Sequence, residues 1–237
     1  MDLTSWLKKL TTGNVVFATS SPINGKIQVV EDIFGRRVVV EGLTQSGGQV
    51  KRVWARAIKE IRNWESLDPR TSAELGRMPS GRRLEIGNCL ILGLGAGTLA
   101  QLLSQKWPKV KIAGVEIDPK IIEIGKKYFN LDKISNLQII IADAAKFLST
   151  YHLLPTTYHL AFVDLYLADK VPPQCETVDF LKSLKNLLTP KGLVVFNRLY
   201  YKDHRQKTEK FLDKLEKIFQ TIRKKKVGGN LLVFAES

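Results

Sequence analysis

From Asn88 onward the chain alternates short apolar runs with amphipathic segments, and this alternation limits the available folds more than any other feature. Runs at 89–92, 111–115, 137–141, 159–163, 192–197 and 230–235 read as strands. Segments 98–106, 119–130, 144–150, 177–188 and 204–223 read as helices. Strands separated by helices imply right-handed crossovers and a mostly parallel, doubly wound α/β sheet. The preceding residues follow another pattern. Three β-type runs, 15–19, 27–32 and 36–41, are punctuated by Asn24-Gly25 and Phe34-Gly35. Asn-Gly favours a hairpin because the turn needs positive φ, so a small antiparallel sheet is expected. Residues 49–64 place Val50, Val53, Trp54, Ala57 and Ile61 on one helical face. Residues 66–81, rich in Pro, Gly, Ser and Arg, read as a loop. The expected organisation is an N-terminal β-domain plus helix over 1–65, a linker over 66–87, and a nucleoside-binding domain over 88–237.

In an open parallel sheet, ligands bind beyond the carboxyl ends of the strands. The first strand of the alternating region runs into Gly93-Leu94-Gly95-Ala96-Gly97-Thr98. Glycines there let the backbone turn sharply and approach a ligand closely. The next strand ends in Glu116-Ile117-Asp118-Pro119, with Glu116 19 residues after Gly97. An acidic residue so placed accepts hydrogen bonds from ribose hydroxyls. Asp118 before Pro119 reads as a helix N-cap. The third strand ends in Asp143-Ala144, where the carboxylate either meets an adenine amino group or caps the next helix. The fourth ends in Asp164-Leu165-Tyr166, and its carboxylate would accept or orient a nucleophile's proton. Tyr166 either contacts substrate or covers the sheet end. The loop lacks the last glycine of a dinucleotide fingerprint, and no Gly-Lys-Ser/Thr phosphate loop occurs. Acidic strand ends suit an adenosine ligand without phosphates, and the inferred donor is S-adenosylmethionine or a relative. Residues 167–173 read as a gate over the cleft, stiffened by Pro172-Pro173.

These residues resemble the spermidine synthase (polyamine aminopropyltransferase) family over about residues 13–236. The resemblance rests on residues 27–32, Gly35-Arg36-Arg37, Gln45-Ser46, the glycine loop, residues 115–119, Asp143-Ala144, Val163-Asp164 and residues 229–235. It implies a Rossmann-like, methyltransferase-type domain, an N-terminal β-domain that helps form a homodimer, and a sulfonium nucleoside donor. That donor is S-adenosylmethionine or its decarboxylated form. On this pattern Gly93, Gly95, Ala96, Gly97, Glu116, Ile117, Asp143 and Ala144 bind the donor. Asp164 and Tyr166 form the catalytic pair, and Gln45 and Asp169 face the acceptor. The chain is similar but not identical to spermidine-forming members. Ala96 stands where they carry Asp, Trp54-Ala55-Arg56 stands near their Tyr-His-Glu, and Leu167 replaces a second Asp. A dication needs carboxylates at both ends, so these departures point to a small-molecule acceptor other than putrescine. Genuine spermidine synthesis in a rearranged site is one alternative, and a non-catalytic or nucleic-acid-associated basic module that retains the fold is another.

Thirty-seven Lys and Arg against 23 Asp and Glu leave a net charge of +14. Two stretches, 48–83 and 202–226, hold 11 of those charges. They read first as solvated faces, and as a nucleic-acid footprint second. Phe211, Leu215, Ile218, Phe219 and Ile222 recur at helical spacing within the second stretch. Two cysteines exclude a disulfide framework and a Cys-rich zinc site. His152, His159 and His204 lack metal-ligand spacing, so no metal is expected. With no signal-peptide pattern or membrane-length apolar run, the expected location is the cytoplasm, without a membrane partner.

Overall fold

The computed structural model describes residues 13–67, 86–151 and 157–237. The expected start helix around Trp6, most of the 66–87 linker and His152 lie outside them. Four strands, β1 (Asn14–Ser21), β2 (Gly25–Asp32), β3 (Gly35–Val40) and β4 (Leu43–Gly47), form an antiparallel meander. Helix α1 (Gly48–Leu67) follows. The large sheet contains β5 (Asn88–Leu92), β6 (Lys111–Glu116), β7 (Leu137–Ile141), β8 (Tyr158–Val163), β9 (Leu188–Leu199), β10 (Thr221–Val227) and β11 (Asn230–Glu236). Helices α2 (Thr98–Lys106), α3 (Pro119–Phe129), α4 (Ala144–Tyr151), α5 (Val178–Asn186) and α6 (Asp203–Leu215) connect them. The strand order is β10-β11-β9-β8-β5-β6-β7. Strands β5 to β9 pair in parallel, and β10 and β11 pair antiparallel at one side. The order reverses between β5 and β8, which opens the crevice between their carboxyl ends.

The sheet is covered on both faces. One face packs Phe147 and Leu148 of α4, Phe180, Leu181 and Leu184 of α5, and Phe211, Leu212 and Leu215 of α6. The other packs Leu99 and Leu103 of α2 with Trp54, Ala57 and Ile61 of α1. The predicted apolar face of α1 is therefore spent on the large sheet. A third cluster joins Ile27, Val29, Val38 and Val40 of the small sheet to Ile121 and Ile124 of α3.

Three local expectations change. The helix expected over 204–223 ends at Leu215, and residues 221–227 form β10. Ile222 pairs with Ala235 in that hairpin, which turns at Gly228 with φ +58°. Pairing with β11 gives the backbone groups of 221–227 hydrogen-bond partners, and it outweighs the helical spacing. Strand β4, which carries Gln45 and Ser46, is a fourth strand where three β-type runs were expected. The first hairpin uses a three-residue loop, residues 22–24, none of which takes positive φ, while Gly25, the first residue of β2, does. Asn24 instead gives its N–H to Ser21 Oγ at 2.9 Å.

Candidate active site

The glycine loop between β5 and α2 is held by bonds from its own amides. Gly93 and Leu94 donate to the Val115 carbonyl, and Gly97 donates to Leu94. Gly95 donates to Glu116 Oε2 at 2.9 Å, and Ala96 donates to Ser46 Oγ at 2.9 Å. All five N–H groups are engaged by protein, so the loop has none to give a phosphate. It offers bare Cα surface instead, which suits the flat body of a nucleoside. Gly93 (φ +89°) admits no side chain, because a Cβ there would stand 2.2 Å from the Asp164 carbonyl oxygen.

Glu116 ends β6 as a buried carboxylate. Its Oε1 accepts from the N–H groups of Ile117 (2.9 Å) and Asp118 (3.1 Å). Burial pushes its pKa upward, and these amides with Gly95 oppose that push. Glu116, Ile117, Asp143, Ala144 and Asp164 line one cavity with Gly93 and Gly95. Asp143 Oδ1 caps α4 by accepting from Lys146 N–H at 2.9 Å, which leaves Oδ2 available to a ligand. Asp118 is the N-cap of α3, as expected, accepting from Lys120 N–H at 2.9 Å. It also accepts from Ser21 Oγ and from Asn24 Nδ2 (2.7 Å), fastening the first hairpin to the large domain.

Asp164 sits at the end of β8, beside the glycine loop. Asn197 Nδ2 donates to its Oδ1 at 2.9 Å, and Trp54 Nε1 donates to its Oδ2 at 3.2 Å. Asn230 Nδ2 donates to Asn197 Oδ1 at 2.8 Å, which fixes the orientation of that amide. Desolvation by burial raises the Asp164 pKa to about 6, against the lowering effect of the Asn197 and Trp54 bonds. A carboxylate poised near neutral pH is what proton acceptance requires. Sequence reading missed Trp54 and Asn197 as its partners. Trp54 lies on the apolar face of a helix and Asn197 at the end of an apolar run, where a core role is the default, and only the assembled fold brings them to Asp164.

Other candidates are placed differently. Tyr166 lines the cavity, but its hydroxyl donates to the Asn197 carbonyl (3.0 Å) and accepts from Leu199 N–H (2.8 Å). The phenol is pinned to β9, and burial pushes its pKa further above the usual range. It therefore anchors the gate rather than moving protons. Ala96 is buried among Ile121, Ile124 and the small sheet and does not line the cavity. Gly97 is likewise off the cavity wall, and a Cβ there would strike Leu131 Cδ1 at 2.4 Å. Gln45 lines the cavity and donates from Nε2 to the Ala168 carbonyl at 3.1 Å, tying β4 to the gate. The gate is a tight turn closed by reciprocal bonds between Leu167 and Lys170. Asp169 does not line that cavity and pairs with His204 Nε2 at 3.3 Å. Cys175 lines the cavity as a thiol whose pKa burial pushes up to about 12. Among the described residues, no three His, Cys, Asp or Glu side chains gather as a metal site. No described helix is long and apolar enough to cross a membrane.

Residues 71–227 match the spermine/spermidine synthase domain. The chain belongs to the spermine/spermidine synthase family. A probable polyamine aminopropyl transferase of Bifidobacterium longum is 34% identical over 110 residues, 46% of this chain and 24% of that protein. An eEF1A lysine and N-terminal methyltransferase homolog of Drosophila pseudoobscura pseudoobscura is 32% identical over 139 residues, 56% of this chain and 20% of that protein. The chain thus spans a quarter or less of the length of these curated relatives. A probable spermidine synthase from Corynebacterium glutamicum shares the fold with a TM-score of 0.71 at 17% identity, covering 94% of this chain and 80% of that one. Human methyltransferase-like protein 13, solved with SAH, aligns with a TM-score of 0.57 at 25% identity, over 64% of this chain and 72% of that one. The chain is thus similar both to a probable polyamine aminopropyl transferase and to a methyltransferase homolog.

Proposed function

We propose that this chain is a transferase that uses S-adenosylmethionine or its decarboxylated form as donor, with an amine acceptor other than ordinary putrescine. One observation carries the reading. Glu116, Asp143 and Asp164 surround one cavity at the point where strand order reverses, beside a loop whose amides are all engaged. Glu116 would accept from ribose hydroxyls with its remaining lone pairs, and Asp143 from the adenine amino group. Ile117, with an exposed apolar side chain, would cover the base. The donor's positive sulfonium is compatible with nearby carboxylates, where a pyrophosphate would be repelled. Asp164 would orient the attacking amine and take its proton. The protein's contribution is alignment in a cleft shielded from water.

Both donor types have support, since the relatives include aminopropyl- and methyltransferases. Titration calorimetry and thermal shift with S-adenosylmethionine, decarboxylated S-adenosylmethionine and methylthioadenosine separate them. At a hundredfold excess over Kd, a ligand of the native state adds about 2.7 kcal/mol of stability. At least one of the three is expected to bind, and Glu116→Ala to weaken it at least about tenfold. If none binds the wild-type chain, the reading fails.

A further inference from the structure

A second cavity, of about 470 Å3, lies on the far side of the gate. Tyr166, Leu167, Pro172 and Gln174 line both cavities, so the two share a wall. This wall begins two residues after Asp164. The chemistry of the second cavity is unlike that of the first. Arg198 is 6% exposed, stacks its guanidinium 4.4 Å from the centre of the Phe211 ring, and forms a wall of the cavity. Its Nη2 is paired with Glu176, while its buried Nε makes no hydrogen bond. A guanidinium carries five N–H donors, so one carboxylate leaves it under-used. Asp169, the other acid in the lining, pairs with His204. Lys170 and Lys207 also line the cavity, and neither has a carboxylate partner among the described residues. Counting His204 as neutral, Arg198, Lys170 and Lys207 against Glu176 and Asp169 leave one positive charge in excess.

We infer that this second cavity is the acceptor's distal subsite and that it takes a carboxylate, so that the acceptor is an amino acid-type molecule with an amine at one end and a carboxylate at the other. The inference rests on the transferase reading above and names its substrate class. A diamine would place its far ammonium against Lys170, Arg198 and Lys207, which like-charge repulsion disfavours. A phosphate would bring two negative charges beside Glu176 and Asp169, whereas a single carboxylate balances the excess. With the carboxylate seated there, the amine reaches past Tyr166 toward Asp164. The nitrogen lone pair then forms a C–N bond to the carbon on the sulfonium sulfur. The C–S bond breaks, and its electron pair returns to sulfur, which leaves as a neutral thioether. The proton shed by the nitrogen passes to Asp164 and on to water.

The test uses the full chain with each donor, and mass spectrometry of the products. γ-Aminobutyrate and δ-aminovalerate are compared with putrescine and cadaverine, their diamine counterparts of equal carbon number. The carboxylate-bearing amines are expected to be used with kcat/KM at least about tenfold higher. Lys207→Glu and Lys170→Glu, at exposed positions that tolerate charge reversal, are expected to raise KM for those amines at least about tenfold while leaving donor affinity by calorimetry unchanged. Arg198→Met is expected to act more strongly. Should it fail to fold, the two lysine variants carry the test. A donor that binds with diamines preferred overturns the inference alone, as do lysine variants that leave the preference intact. Failure of every donor to bind overturns the transferase reading, and the inference with it.

Discussion

Asp164 is held between two opposing influences, and its behaviour with pH follows from their balance. Burial raises its pKa to about 6, above the value of about 4 for an exposed aspartate. A carboxylate whose folded pKa is raised contributes stability below its unfolded pKa and loses it as pH climbs through the folded one. The native protein therefore loses this contribution between about pH 4 and pH 6, while the ionised, proton-accepting form appears over the same interval. The rate of transfer is expected to rise with a midpoint near pH 6. Asp164→Asn removes that limb and lowers kcat by about 100-fold or more, the usual reach of a general base. Thermal melts of the variant and wild type across about pH 4 to 7 should diverge in the variant's favour as pH rises. A flat difference would place the raised pKa elsewhere. The position of Asp164 at a strand end was legible in the sequence. Its hydrogen-bond partners were not, because Trp54 and Asn197 are distant in the chain and look like core residues until the sheet is assembled.

At the scale of elements, the site is made by docking α1 and β4 onto β5 and β8. Trp54 packs edge-on to Phe162, with ring centroids 5.5 Å apart, and from that position donates to Asp164. Trp54→Phe keeps an aromatic in the core and deletes the donor. The pH midpoint of turnover should then move above 6, because a bond that favours the charged form is gone. An unchanged midpoint would assign Trp54 to packing alone. Gly93→Ala tests the loop, since its Cβ would overlap the Asp164 carbonyl oxygen. A loss of about 3 kcal/mol or more is expected by chemical denaturation, with donor binding lost as well. Periodicity fixed the existence of most helices and strands here. It failed at 216–227, where Phe219 and Ile222 keep a helical spacing that the hairpin with β11 overrides. The Gly228-Gly229 pair was the available signal for that turn. It failed also at β4, whose residues Thr44, Gln45 and Ser46 look like a polar turn but pair with β3.

Across the whole molecule, the described part of the first basic stretch meets the second at one ion pair. Glu60 of α1 pairs with Arg56 at 2.7 Å and lies 3.6 Å from Lys225 of β10. Strand β10 ends the large sheet and carries exposed Lys224, paired with Glu216 at 3.7 Å, and exposed Lys226. Charge on an edge strand blocks pairing with another chain. Replacing both lysines with valine should promote aggregation, read by light scattering over time, with little change in Tm. Equal colloidal stability would instead leave the lysines to serve a binding role. The hydrogen-bond chain within the large sheet has a further consequence. Asp164 is oriented through Asn197, and Asn197 through Asn230 of β11, the last strand in chain order. While a ribosome is still extending the chain, the glycine loop and Glu116 emerge long before Asn230 does. A nascent chain is thus unable to hold Asp164 in register until β11 has threaded between β9 and β10, and on the proposed transferase reading a donor captured early would meet no aligned chemistry.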